Sequence, residues 1–142
     1  MFGERNQMNV FIVDLAHKPG ELAKAAEAIA HKGINITAFS GSTCGGSGSV
    51  AFLTNDEMGT RKALGEAGYR AKELEVVTAS IEDKPGALAK TARKLAEAGV
   101  NIEFAMPTGM SGGKATLAFA TDNPSKAKSI IGSGEPVGVA SR

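Results

Sequence analysis

Two stretches of this 142-residue chain are near copies of one another, and that repeat limits the fold more than any other feature. KPGELAKAAEAIAHKGINI (Lys18–Ile36) and KPGALAKTARKLAEAGVNI (Lys84–Ile102) agree at eleven of nineteen positions when the chain is slid along itself by 66 residues. Most differences are mild, Ile29 against Leu95 and Ile34 against Val100 among them. The match resumes where AFLTND (Ala51–Asp56) meets AFATDN (Ala118–Asn123) after one extra residue. A single insertion in a Gly-rich stretch is what a surface hairpin tolerates. Repeat arrays need three or more units, so two copies predict a pair of small domains, residues 1–74 and 75–142.

Each copy reads locally in the same way. An extended run precedes each Lys-Pro-Gly, MNVFIVDL (Met8–Leu15) in the first copy and VVTASIED (Val76–Asp83) in the second. Val10 and Ile12 point one way and Phe11, Val13 and Leu15 the other, so the strand is expected to be buried on nearly both faces. Pro19 and Pro85 suit a helix's first turn, where a missing N–H costs nothing. Leu22, Ala26, Ile29 and Ala30, matched by Leu88, Ala92, Leu95 and Ala96, recur at helical spacing. Gly33 and Gly99 fit the left-handed residue that ends a helix. INITAFSG and VNIEFAMP follow as second strands, then a Gly/Ser-rich turn and third strands at Ser49–Thr54 and Ala115–Thr121.

Second helices are predicted at Glu57–Ala67, interrupted by Gly59 and Gly65, and at Pro124–Ile131. Final strands are predicted at Arg70–Val76 and Glu135–Ala140. The order β-α-β-β-α-β, twice, is an α+β fold of two ferredoxin-like units in tandem. Side-by-side pairing of those units would give an eight-stranded antiparallel sheet with helices on one face. A unit of about 65–70 residues is marginal alone, so pairing within a chain or into a homodimer is expected.

Composition removes several function classes. Sixteen basic and fifteen acidic residues leave a net charge of +1, without basic clusters, so no nucleic-acid partner is expected. No apolar run approaches the roughly 20 residues of a membrane span, and MFGERNQMNV lacks a signal-peptide layout. Cys44 is the sole cysteine, which excludes an intrachain disulfide and a CxxC motif, and its place in GSTCGGSGS reads as an inert loop thiol. Together these features predict a soluble, cytoplasmic protein. GMSGGKAT (Gly109–Thr116) fails as a phosphate loop, because Ala115 follows Lys114 and the glycine spacing is wrong. Two histidines lie at no metal-ligand spacing from Cys or carboxylates, and no Ser sits in a G-x-S-x-G elbow. Neither a catalytic centre, a metal nor a cofactor is expected.

D-K-P-G-A-L at Asp83–Leu88 followed by G-V-N-I at Gly99–Ile102 resembles the ACT domain. H-K-P-G-E-L at His17–Leu22 with G-I-N-I at Gly33–Ile36 repeats the pattern, so the resemblance extends from about Met8 to the end. It implies a βαββαβ regulatory module that binds an amino acid near the first helix's N-terminus, at an interface between paired domains. Carried onto this sequence, it implies a site built from His17, Pro19, Gly20, Glu21, Leu22, Asn35 and Ile36 in one copy. In the other copy the residues are Asp83, Pro85, Gly86, Ala87, Leu88, Asn101 and Ile102. His17 departs from the acidic or amide residue that this pattern usually carries, which favours the second loop as the better pocket.

Elementary chemistry points to the same loops. Free amides at a helix N-terminus attract a carboxylate, and a side-chain-free Gly20 or Gly86 lets a ligand approach the backbone. Asn35 and Asn101 offer both donor and acceptor, and Asp83 could accept from an ammonium group. Plainer roles stand beside these: Asp83 as a helix cap, the glycines as turn residues, the asparagines as turn-to-strand transitions, His17 as a surface residue. The expected function is an effector-binding regulator that modulates a partner enzyme through ligand-dependent domain pairing. The alternative is an interaction module without a ligand. An acyl-phosphate hydrolase would need an Arg in the strand-to-helix loop, and neither loop has one.

Overall fold

A computed structural model describes residues 8–132, and backbone proximity divides it into two compact units. One unit is Asn9–Leu74, and the other runs from Glu75. The first holds β1 (Met8–Ala16), α1 (Glu21–Ala30), β2 (Ile36–Cys44), β3 (Ser47–Thr54) and α2 (Glu57–Glu66). Strand β4 (Ala71–Glu82) crosses the division, and α3 (Ala87–Glu97), β5 (Ile102–Ser111), β6 (Lys114–Thr121) and α4 (Pro124–Ile131) follow.

Among the described residues there are six strands and not the expected eight, and the strand pairs within each unit are antiparallel. The strands predicted at Arg70–Val76 and Val76–Asp83 are one continuous strand of 12 residues. With no Gly or Pro between Ala71 and Glu82, nothing in the sequence breaks it. Glu135–Ala140 lies outside the described residues.

Within each unit the sheet alternates faces. In the first, β3 pairs with β1 and β2, and the row Phe11–Phe52–Phe39 runs across three strands on the face that α1 and α2 cover. Phe11, Val13, Val50 and Phe52 pack there on Ala25 and Ile29 of α1 and Leu64 of α2. In the second, β6 pairs with β4 and β5, and the matching row reads Val77–Phe119–Ala105. Phe119, Val77, Ala79 and Leu95 form that core with Ala127 of α4. Burial of Val10, Phe11 and Val13 agrees with a strand covered on both faces at its start, while Asp14 is exposed.

The helical stripe keeps Ile29 and Leu95 buried, as periodicity places them, but not its first-turn leucines. Ala25 and Ile29 are fully buried, whereas Leu22 is 44% and Leu88 56% exposed. Both leucines belong to a first turn that extends past the sheet's packed centre, so burial begins one turn later. Gly33 and Gly99 do adopt the expected left-handed conformation, at φ 74° and 76°. Val100 N–H reaches Leu95 O at 2.9 Å and Gly99 N–H reaches Ala96 O at 3.0 Å, the paired bonds of a Schellman stop. The hairpins β2–β3 and β5–β6 turn through Gly45–Gly46 and Gly112–Gly113, all at positive φ, as a two-residue type I′ turn requires.

A polar clamp closes the other end of the first unit. Arg61 on α2 donates through Nε and Nη2 to Glu73 at 2.6 and 2.8 Å, and Glu73 also accepts from Asn9 Nδ2 at 3.2 Å. The Arg61 bonds hold the Glu73 carboxyl below its ordinary value of 4.5, against a smaller opposing effect of burial. A depressed folded pKa contributes stability above the unfolded value that is lost as pH falls through the folded one. The urea midpoint of the parent protein should therefore fall below pH 4.5, and Glu73→Gln should flatten that fall.

Candidate functional site

Both strand-to-helix loops take the same shape. Lys18 N–H bonds Ala16 O at 3.0 Å and Lys84 N–H bonds Glu82 O at 3.0 Å, so the chain turns sharply after each strand. Gly20 and Gly86 then cap α1 and α3 in the left-handed region, at φ 90° and 86°, with no side-chain cap. Pro19 and Pro85 precede those caps instead of standing in the first turn. Asp83 does not cap α3; its N–H bonds Gly113 O at 2.9 Å and its side chain is exposed. A Cβ at Gly20 or Gly86 would meet nothing within 4 Å, so backbone conformation, not crowding, demands glycine. Gly20→Ala and Gly86→Ala should each lower stability by about 1–2 kcal/mol in urea unfolding, the cost of a left-handed Ala.

The amide donors at these helix starts are only partly used. Lys24 N–H bonds Gly20 O at 3.0 Å and Lys90 N–H bonds Gly86 O at 2.9 Å. Among the described residues the N–H groups of Leu22, Ala23, Leu88 and Ala89 have no acceptor. Such donors, with the helix dipole behind them, favour an anion.

A cleft of about 170 Å³ opens beside the first loop. Leu15, Ala16, His17 and Lys18 line its rim, Glu21 and Leu22 of α1 one wall. The sheet side comes from Gly41, Ser42 and Thr43 of β2 and Gly48, Ser49 and Val50 of β3. Glu21 has only 13% of its side chain exposed and faces Lys18 Nζ at 3.9 Å and Lys24 Nζ at 3.5 Å. Both distances exceed a direct hydrogen bond, so the carboxylate keeps accepting capacity while its charge is balanced.

The asparagines stand elsewhere. Asn35 and Ile36 follow α1, whose ten residues span about 15 Å, so they lie at the far end of their unit from Gly20. Asn35 exchanges bonds with Asn55: its N–H meets Asn55 Oδ1 at 3.1 Å, and Asn55 N–H meets Asn35 O at 3.1 Å. Asn101 repeats this with Asp122, donating to its Oδ1 at 3.0 Å and accepting from its N–H at 3.1 Å, and Ile102 follows opposite Thr121. Within each unit the structure thus groups His17, Pro19, Gly20, Glu21 and Leu22, and likewise Asp83, Pro85, Gly86, Ala87 and Leu88, without the Asn-Ile pairs. The β2–β3 wall carried no sequence signal except Gly41 inside a predicted strand, a mark of close approach, since Gly48 fell in the predicted Gly/Ser-rich turn.

Among the described residues no three His, Cys, Asp or Glu side chains could hold a metal, and no helix is long and apolar enough to cross a membrane. Cys44 is exposed at the end of β2.

A strand-to-helix turn of this form occurs once in each of the two α/β units. The model of the ACT domain pair matches residues 56–135, more than half of the chain, and the protein belongs to that family. An ACT domain pair is a regulatory module and not a catalytic one. Among solved structures, a protein from Bacteroides thetaiotaomicron is 26% identical over 88% of each chain, with a TM-score of 0.76. The ligand-free regulatory subunit of aspartate kinase from Thermus thermophilus is 19% identical over 85% of this chain and 87% of that one, at 0.62. The same subunit from Thermus flavus is 21% identical over 80% and 82%, at 0.59. These two likenesses establish the fold alone. No curated protein matches the sequence.

Proposed function

We propose that this chain is an amino-acid-sensing regulator that binds its effector at a strand-to-helix loop and modulates a partner enzyme. The single observation that carries this reading is the cleft at the start of α1. There, the unpaired amide of Leu22 can take a carboxylate, and Glu21 can take an ammonium group. Those are the two charged groups every α-amino acid presents. The regulatory subunits of aspartate kinase that share the fold lend the reading its context. Signalling follows from differential affinity: the effector favours whichever association state, homodimer or complex with a cytoplasmic enzyme, binds it better.

A thermal-shift screen against the twenty amino acids tests this. A ligand that binds only the folded chain, at a hundred times its Kd, adds about 2.7 kcal/mol. One or a few amino acids should raise the midpoint by several degrees, and Glu21→Gln should remove most of that rise. A folded protein whose midpoint no amino acid moves contradicts the reading.

A further inference from the structure

The two loops are near copies, yet the sheet beside them is built from different residues. On the helix-covered face of the first unit, the rows nearest the loop are Val13–Val50–Gly41 and Leu15–Gly48–Thr43. The same rows of the second unit read Ala79–Leu117–Pro107 and Ile81–Ala115–Met110. Directly opposed residues of an antiparallel pair share a face, so these side chains project onto the surface from which the helix starts. Gly41 and Gly48 therefore stand where the second unit has Pro107 and Ala115.

Those two glycines border the first cleft. A Cβ at Gly41 would find only Ser49 O, at 3.8 Å, so the space above it is open, whereas one at Gly48 would stand 3.1 Å from Leu15 O and that glycine answers to the sheet's own backbone. In the second unit Met110, 58% exposed, stands in the row where the first unit has Thr43 and adds apolar bulk there. The helix starts differ in charge as well, since Ala87 replaces Glu21.

We propose that the first loop alone is the effector site, that Gly41 sets the size it admits, and that it takes an α-amino acid with a short, uncharged side chain. The proposal rests on the amino-acid reading above, adds which copy binds and what it selects, and reverses the preference for the second loop that His17 suggested, because the cleft lies at the first. Glu21 is the only carboxylate that lines the cleft, and the ligand's ammonium uses it, so no acid remains for a cationic side chain. Leu15 of β1, Val50 of β3 and Leu22 of α1 favour apolar contact beside the hydroxyls of Ser42, Thr43 and Ser49, while Lys18 of the lining already faces Glu21. At about 170 Å³ the cleft falls below the roughly 300–1,000 Å³ of drug-sized pockets, which suits a single small metabolite.

Backbone-amide NMR of the full-length chain tests this, with valine and serine as probes and lysine and aspartate as charged controls. Valine or serine should shift the amides of residues 15–22 and 41–50, saturating at one equivalent per chain. Gly41→Val should weaken that binding by about tenfold or more with an unchanged far-UV spectrum, because added methyl groups fill the cleft. Ala115→Gly should leave it unchanged. Shifts centred on residues 81–88, two equal sites per chain, tighter binding of lysine or aspartate, or an inert Gly41→Val would overturn the proposal while leaving amino-acid sensing intact. If none of the twenty amino acids moves any amide, the sensing reading falls and takes this proposal with it.

Discussion

Phe52→Ala should lower the unfolding free energy by about 3–5 kcal/mol, read as a fall in urea midpoint by circular dichroism. Phe52 is 1% exposed, lies opposite Phe11 on β1, and packs in the cluster with Ala25, Ile29 and Leu64. Truncation removes the transfer free energy of the ring and leaves a cavity walled by two helices and a sheet that cannot all close on it. Small domains have only about 5–15 kcal/mol in total, so a loss of this size is a large fraction of the margin. Phe39 occupies the same row on β2 but is 60% exposed. Phe39→Ala should therefore cost no more than about 0.5 kcal/mol, the range of surface changes. Equal costs at the two positions would contradict the assignment of the core.

The second large effect concerns a glycine that looks like a helix fault. Gly59 and Gly65 both fall inside α2, which nonetheless runs unbroken from Glu57 to Glu66. Asp56 caps it, accepting from Gly59 N–H at 2.9 Å. A Cβ at Gly59 would stand 2.5 Å from Asp56 Oδ2 and 2.8 Å from Ile34 Cδ1. Gly59→Ala must displace the cap and press on the core, which together cost about 2–4 kcal/mol. At Gly65 a Cβ meets nothing within 4 Å and φ is not in the left-handed range. Gly65→Ala should instead stabilise by about 0.4–1 kcal/mol, by the higher helix propensity of Ala and a less free unfolded chain. Opposite signs for one substitution, six residues apart on one helix, are measurable in a single pair of urea titrations.

Much of this architecture is legible in the sequence because the repeat makes each element appear twice. Pro124–Ile131 is a helix at its predicted bounds, and the third strands differ from prediction by two residues or fewer. What sequence could not resolve was the junction. Arg70–Val76 and Val76–Asp83 are each a good strand, and only hydrogen-bonded pairing reveals that they are one. The start of the helical stripe was misplaced because Leu22 and Leu88 have the period of a core face, while burial depends on how far the sheet extends beneath the first turn. At the site, the loops were found from Pro, Gly and their position between strand and helix. Asn35 and Asn101 were grouped with them by similarity alone, and the length of α1 and α3 separates them. Gly41 escaped notice since its meaning lies in register across β2 and β3, which a linear pattern does not carry.

Isothermal titration calorimetry of the purified full-length chain with each of the twenty amino acids measures the central claim most directly. The account predicts saturable heat with at least one amino acid, bound at one equivalent per chain and weakened by Glu21→Gln. A demonstrably folded protein that gives only dilution heat with all twenty would contradict it.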